Sequence, residues 1–269
     1  MQIHRRHVTC GCPEAYSLSR KKQMLDLEEI RVGCQDCTLA HLCLPHGLEQ
    51  RDIDKLDDIV ERSPPCHRGD HLFRPGQKSH ALFAVRSGAL KSYCITEHGG
   101  EQVLGFILPG ELTGLDSLAA GRYASAAVAL ETSSVCKIPL DQLSTLCNEL
   151  PGMYDRILGI VGMEITTDQE MLMLLGKYSA EERLASFLLS LSSRYKKRGL
   201  SADVFSLPMS RQDIGNYLGL AIETVSRLFA RFQEEDILTV DRKLITIRQR
   251  QPLVALVDAC ISSPAVSSD

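Results

Sequence analysis

The chain has 269 residues, 44% of them hydrophobic, with no tryptophan and a formal charge of −4. Such a length suits one large or two ordinary domains, and such a hydrophobic content builds a real core and excludes wholesale disorder. The net charge alone does not suggest nucleic acid, but residues 176–250 hold 13 Lys/Arg against 9 Asp/Glu, a local +4 that leaves −8 on the rest; the C-terminal part alone is therefore suited to an anionic partner.

Residues 1–25 read as a flexible tail, polar and basic, without the apolar stretch that directs secretion. No run approaches the ~18 apolar residues of a membrane span. A cytoplasmic protein is expected, with its ten cysteines mostly reduced.

Residues 26–150 read as a cysteine-bearing loop followed by a β-roll sensory domain. In "CQDCTLAHLC", Cys34, Cys37 and Cys43 stand in C-x2-C-x5-C spacing. Leu48, Ile53, Leu56 and Ile59 then fall near one helical face. Between 66 and 140, β-like runs such as "ALFAVR", "ALKSYCI" and "EQVLGFIL" are cut by Gly and Pro turns, the rhythm of a sandwich or roll. Cys136 lies in the last run, "SVCKIP".

Residues 151–178 read as a dimerisation helix. Pro151 suits its first turn. Tyr154, Leu158, Val161, Ile165, Asp168, Leu172 and Leu175 are spaced alternately four and three apart, a heptad seam that pairs most simply with its copy in a homodimer. Asp168 interrupts the seam. Two carboxylates facing each other in a partly dry interface cost roughly 1–3 kcal/mol, which holds the dimer near its dissociation threshold.

Residues 179–250 read as a winged helix-turn-helix domain. "AEERLASFLLSLSSRYKKR" has acids early and bases late, as the helix dipole favours. Ser210 with Asp213 resembles a capping box, Gly219 supplies the sharp turn, and "ILTVDRKLITI" forms the wing. The second helix, near 221–235, is the expected reader of double-stranded DNA. Glu223, Ser226 and Arg227 share its face. Arg227 suits guanine, Glu223 suits cytosine N4, Ser226 is adaptable, and Ile222 can touch a thymine methyl. Arg211 and Arg231 are placed for phosphates. Residues 251–269 read as a tail. The fold class expected is α+β: an N-terminal β-roll sensory domain, a long dimerisation helix and a C-terminal winged helix-turn-helix domain.

Three thiols leave a tetrahedral metal site one ligand short. A metal or cluster is favoured over a disulfide, and the spacing does not separate zinc from iron–sulfur. His41 and His46 read as surface residues. No thioredoxin-like pattern surrounds Cys34 and Cys37, so no enzyme is expected. Cys66, Cys94, Cys147 and Cys260 read as buried small apolar residues. Cys10 and Cys12 read as spare ligands or as residues without a role.

"SRQDIGNYLGLAIETVSRLFARFQ" resembles the DNA-binding helices of the FNR branch of the CRP/FNR transcription regulators, "CQDCTLAHLC" that branch's N-terminal cluster loop, and "ALETSSVCKIP" the segment with its fourth cysteine. The resemblance covers roughly residues 25–250. It implies one [4Fe–4S] cluster per chain on Cys34, Cys37, Cys43 and Cys136, present when oxygen is absent. It also implies a homodimer on a palindrome of TTGAT-type half-sites, oxygen as the signal, and contact with RNA polymerase through Gly99 and Gly100 and the regions of Thr132 and Ser201.

The sequence departs from the cyclic-nucleotide relatives at the phosphate. There an Arg precedes a Ser-Ala pair; here Ala124 precedes Ser125 and Ala126, although Glu111 is kept. The alternative reading is a cyclic-nucleotide-responsive CRP-like regulator with a structural zinc site. A family glycine that closes the recognition helix is replaced by Asp236, so that helix is expected to end differently.

Overall fold

The computed structural model describes residues 32–261, with side chains through 258. The expected tail of residues 1–25, with Cys10 and Cys12, lies outside the described residues, as does the Cys260 side chain.

After the cysteine loop come α1 (Gln50–Ile59) and the strands of the roll: β1 (Glu61–Arg62), β2 (His71–Phe73), β3 (Ala81–Ser87), β4 (Leu90–Ile95), β5 (Glu101–Ile107) and β6 (Leu112–Thr113). A short α2 (Ser117–Ala120) precedes β7 (Ala126–Ala129) and β8 (Ser134–Pro139). The strands form two antiparallel four-stranded sheets, β1-β8-β3-β6 and β2-β7-β4-β5. Alternation along β3 and β8 gives each a two-sided burial. Ala81, Phe83, Val85 and Val135 point into the roll with Phe73, Leu90 and Tyr123, the Phe73 and Tyr123 rings stacking at 4.0 Å. Leu82, Ala84, Cys136 and Ile138 point outward, where α1, α3 (Leu140–Glu149) and the start of α4 (Pro151–Lys177) cover them.

Pro151 occupies the first turn of α4, where the missing N–H costs nothing. Its 27 residues extend about 40 Å. The first half buries Met153 and Ile160 against the roll, and the second buries Leu174 against the C-terminal domain. Between them Tyr154, Leu158, Ile165 and Leu172 are exposed large apolar side chains.

The C-terminal domain contains α5 (Ala180–Lys197), β9 (Val204–Ser206), α6 (Arg211–Leu218), α7 (Ile222–Glu234), β10 (Leu238–Asp241), β11 (Leu244–Ile247) and α8 (Arg250–Ile261). Ser210 and Asp213 close a full capping box on α6, and Gly219 in the left-handed region (φ 63°) ends it. The wing is the sheet β10-β11-β9. Leu184, Leu188, Ile214, Val225, Phe229, Phe232 and Ile245 form the core. The segment expected as a tail from 251 is helical through Ile261, with Leu253 fully buried in that core. Asp236 sits at φ 52°, so the residue in the glycine's place takes up the left-handed turn itself.

Roll and reader share one core. Val103, Phe106 and Leu108 pack with Phe187 and Tyr217. Lys91 pairs with Asp213 at 2.8 Å, and Asn216 accepts from the Val103 N–H at 2.5 Å.

Candidate metal centre and nucleic-acid interface

The loop holding Cys34, Cys37 and Cys43 is a run of tight turns, with Ala40 N donating to Cys37 O at 3.0 Å and Cys43 N to Leu39 O at 3.1 Å. It lies on the outer face of the roll, where Cys34, Cys43 and Cys136 pack against one apolar cluster. The strand period explains Cys136: Val135 faces inward, so its neighbour faces the loop. The thiols are close enough to feel one another's charge. Burial first of all raises the pKa of Cys34, Cys43 and Cys136, that of Cys43 to about 12, and neighbouring thiols raise each further: Cys136 and Cys43 act on Cys34, and Cys37 acts on Cys43 and Cys136. Such thiols stay protonated until a cation compensates them. Among the described residues no three His, Cys, Asp or Glu side chains are gathered so as to hold a single metal ion.

Two side chains fix the loop from outside, and one of its own reaches out. Asp57 on α1 accepts from Cys34 N at 2.8 Å and pairs with Arg62. Burial raises the Asp57 pKa, but the bonds from Cys34 and Arg62 outweigh it and hold the carboxyl below its ordinary value. Arg156 on α4 donates to Cys43 O at 2.8 Å and to Leu42 O at 3.3 Å. His41 Nε2 lies 2.9 Å from Lys197 O at the end of α5. Leu42 also crowds Gly110, where an added Cβ would stand 2.9 Å from the Leu42 Cβ in a backbone of φ +90°. The next residue, Glu111, pairs with Arg194 and, at 2.6 Å, with Arg198.

On α7, Ile222, Glu223, Ser226 and Arg227 are exposed on the face away from Val225, Phe229 and Phe232. Arg227 donates to Thr224 Oγ1 at 3.3 Å, and Ser226 to Ile222 O at 2.9 Å. The two arginines expected on phosphates are engaged within the chain. The Arg211 guanidinium lies 3.2 Å from the Phe229 ring centre, with burial lowering its pKa to about 10. Arg231 pairs with Glu181 and Glu235, each at 2.8 Å. Of the seam residues, Tyr154, Leu158, Ile165, Asp168 and Leu172 are exposed, whereas Val161 and Leu175 are half-buried. Cys66, Cys94 and Cys147 are half-buried rather than enclosed.

The sequence reading missed Asp57, Arg156, Lys91 and the Glu111–Arg194–Arg198 clasp. Lys91, Arg194 and Arg198 stand in stretches read only for their secondary structure, and Glu111 was noted for a ligand rather than for arginines 83 and 87 residues away.

A β-roll joined by a long helix to a winged helix-turn-helix defines a DNA-binding transcription regulator of the Crp type. Residues 182–256 match the Crp-like helix-turn-helix domain, and residues 65–149 match the cyclic nucleotide-binding domain. The fumarate and nitrate reduction regulatory proteins of Salmonella typhi and Escherichia coli K12 are 47% and 46% identical over 225 residues, 84% of this chain and 90% of each relative. The structure of FixK2 from Bradyrhizobium japonicum aligns with a TM-score of 0.68 at 28% identity, over 78% of this chain and all of that one. The c-di-GMP responsive regulator CLP of Xanthomonas campestris shares the fold, with a TM-score of 0.60 at 18% identity over 74% of this chain and 99% of its own. The chain belongs to the CRP/FNR family of transcription regulators, in the FNR branch. It binds DNA and is not an enzyme. Among the described residues no helix is long and apolar enough to cross a membrane.

Proposed function

We propose that this protein is an oxygen-responsive regulator that binds DNA as a homodimer when Cys34, Cys37, Cys43 and Cys136 hold one [4Fe–4S] cluster. The observation that supports the reading is that Cys34 and Cys43 of a short loop pack with Cys136 of β8 on one apolar cluster beside the root of α4, with Cys37 near enough for its charge to act on Cys43 and Cys136. The donor set fits in its chemistry: soft thiols in an apolar, partly desolvated patch are the ligands that iron–sulfur clusters take. When bound, such a cluster compensates four thiolates and supplies an oxygen-labile inorganic core.

The chain's own residues do the rest. Asp57 holds the Cys34 end of the loop and Arg156 ties the Cys43 end to α4. An ordered loop thus favours one placement of α4. The exposed side chains of Tyr154, Leu158, Ile165 and Leu172 then meet a second copy, with Val161 and Leu175 flanking them. Asp168 faces its twin and keeps the pairing weak, so that a few kcal/mol from the loop moves the population by two to three decades. Ile222, Glu223, Ser226 and Arg227 read TTGAT-type half-sites about one helical turn apart. Arg211 and Arg231 reach phosphates on exchanging their present partners, and exposed loops at Gly99, Gly100, Thr132 and Ser201 meet RNA polymerase.

The cyclic-nucleotide alternative is disfavoured by charge. Glu111 is committed to Arg194 and Arg198, Arg122 donates to Gly76 O at 2.7 Å, and Asp116 takes the N–H groups of Ala124 and Ser125. Purification under nitrogen, with iron, sulfide and zinc analysis, tests the reading. About four irons per chain are expected, lost in Cys136→Ser; a colourless protein with one zinc sinks it.

A further inference from the structure

We propose that Asp116 is a built-in anionic ligand of the β-roll, filling from within the chain a seat shaped for a small oxyanion such as phosphate. Three donors converge on a single oxygen, Oδ2 of Asp116: Ser125 N at 2.8 Å, Ser125 Oγ at 2.8 Å and Ala124 N at 3.1 Å. Two successive backbone N–H groups and a hydroxyl aimed at one point make a concave anion site. The donors are held firmly, since Ser125 is only 6% exposed and leads into β7, every residue of which is buried.

Asp116 is not there to cap its own helix. It stands at the N-cap of α2, where an aspartate ordinarily takes an N–H of the first turn, yet it makes no such bond. Its carboxylate crosses to the turn before β7 instead. The seat lies within the segment that matches the cyclic nucleotide-binding domain, whose ligand carries one phosphate anion. One further acid, Glu164 on α4, feels the charge of Asp116. A second anion therefore meets negative charge in an occupied seat. The roll's anion seat is then filled without any external small molecule. This inference does not depend on the cluster.

Thermal unfolding of the full chain, in phosphate and in chloride at matched ionic strength, tests it. Wild type should melt alike in both salts apart from the general effect of phosphate. Asp116→Ala should melt lower in chloride and regain about 3 °C or more in phosphate beyond the wild-type change. Asp116→Ala/Ser125→Ala should regain clearly less than Asp116→Ala, since the hydroxyl is gone and only the two backbone N–H groups remain. If Asp116→Ala does not fold, Asp116→Ser, which also empties the seat, replaces it. Equal phosphate gains in wild type and variant, or no gain in the variant, overturn the proposal. So does calorimetric binding of cyclic AMP to wild type that requires Ser125.

Discussion

Leu172 offers the sharpest test of the α4 seam. It is 70% exposed, more than any other large apolar side chain among the described residues. Burying a whole leucine is worth roughly 1.5–3 kcal/mol. Covering the exposed share and then trimming it to alanine removes about 1–1.5 kcal/mol per subunit, since Cβ remains. A two-fold interface counts the change twice, giving about 2–3 kcal/mol. At ~1.4 kcal/mol per decade, Leu172→Ala should raise the dimer dissociation constant roughly 30–150-fold. Sedimentation equilibrium under nitrogen measures it, with iron determined in the same samples so that loss of the cofactor is not mistaken for loss of the interface. Met163 is the control. It is 56% exposed but lies two residues beyond Val161, ~200° around the helix, and Met163→Ala should change the constant less than about threefold. A Leu172→Ala protein with full iron and wild-type dimerisation refutes the seam.

Three other outcomes are expected. Burial raises the pKa of Glu111, but Arg194 and Arg198 outweigh it and hold the carboxyl below its ordinary value. The stability this contributes is therefore complete above the unfolded pKa of about 4.3 and lost as pH falls through the lower folded value. Glu111→Gln should lose about 2–3 kcal/mol at neutral pH and flatten the acid limb of a urea-midpoint profile; an unchanged limb removes the clasp. Arg156→Gln should keep its iron yet weaken anaerobic dimerisation about tenfold, one charge-assisted bond's worth, by the same sedimentation assay; normal dimerisation means that the strap transmits nothing. Arg227→Ala should lose roughly 1–3 kcal/mol of discrimination at one base pair in binding to a set of altered half-sites, and a uniform loss across all sites makes it a phosphate contact instead.

Local physics made much of this legible. The four-three spacing through α4, the capping box at Ser210 and the left-handed Gly219 are properties of neighbours within a turn, and each appears in the structure. What failed depended on distant partners. The stretch from Gln251 reads as a tail because nothing nearby demands a helix; it is helical because Leu253 finds the core beside α5. Strands of two or three residues, β1, β6 and β9, are too short for a period to register. Arg211 looked like a free cation until folding set it over Phe229. Cys136 is an intermediate case: alternation along β8 gives its direction, but only the tertiary fold shows which loop lies there.

That loop's placement bears on how its ordering spreads through one subunit. Arg156 leads from it to α4, and the proposed dimer seam begins two residues earlier on the same helix. A second route leaves on the other side: His41 meets the Lys197 carbonyl, and Leu42 packs on the turn that carries Glu111 into its pairs with Arg194 and Arg198. The second route reaches α5, the first helix of the reader, without crossing a subunit boundary. Each contact is worth only about 1 kcal/mol. Two or three released together amount to about two decades of equilibrium constant, comparable to the whole cost of the Asp168 pair. A loop of a dozen residues therefore has enough leverage to govern both the pairing of α4 and the seating of α5, and no large rearrangement of the roll is required.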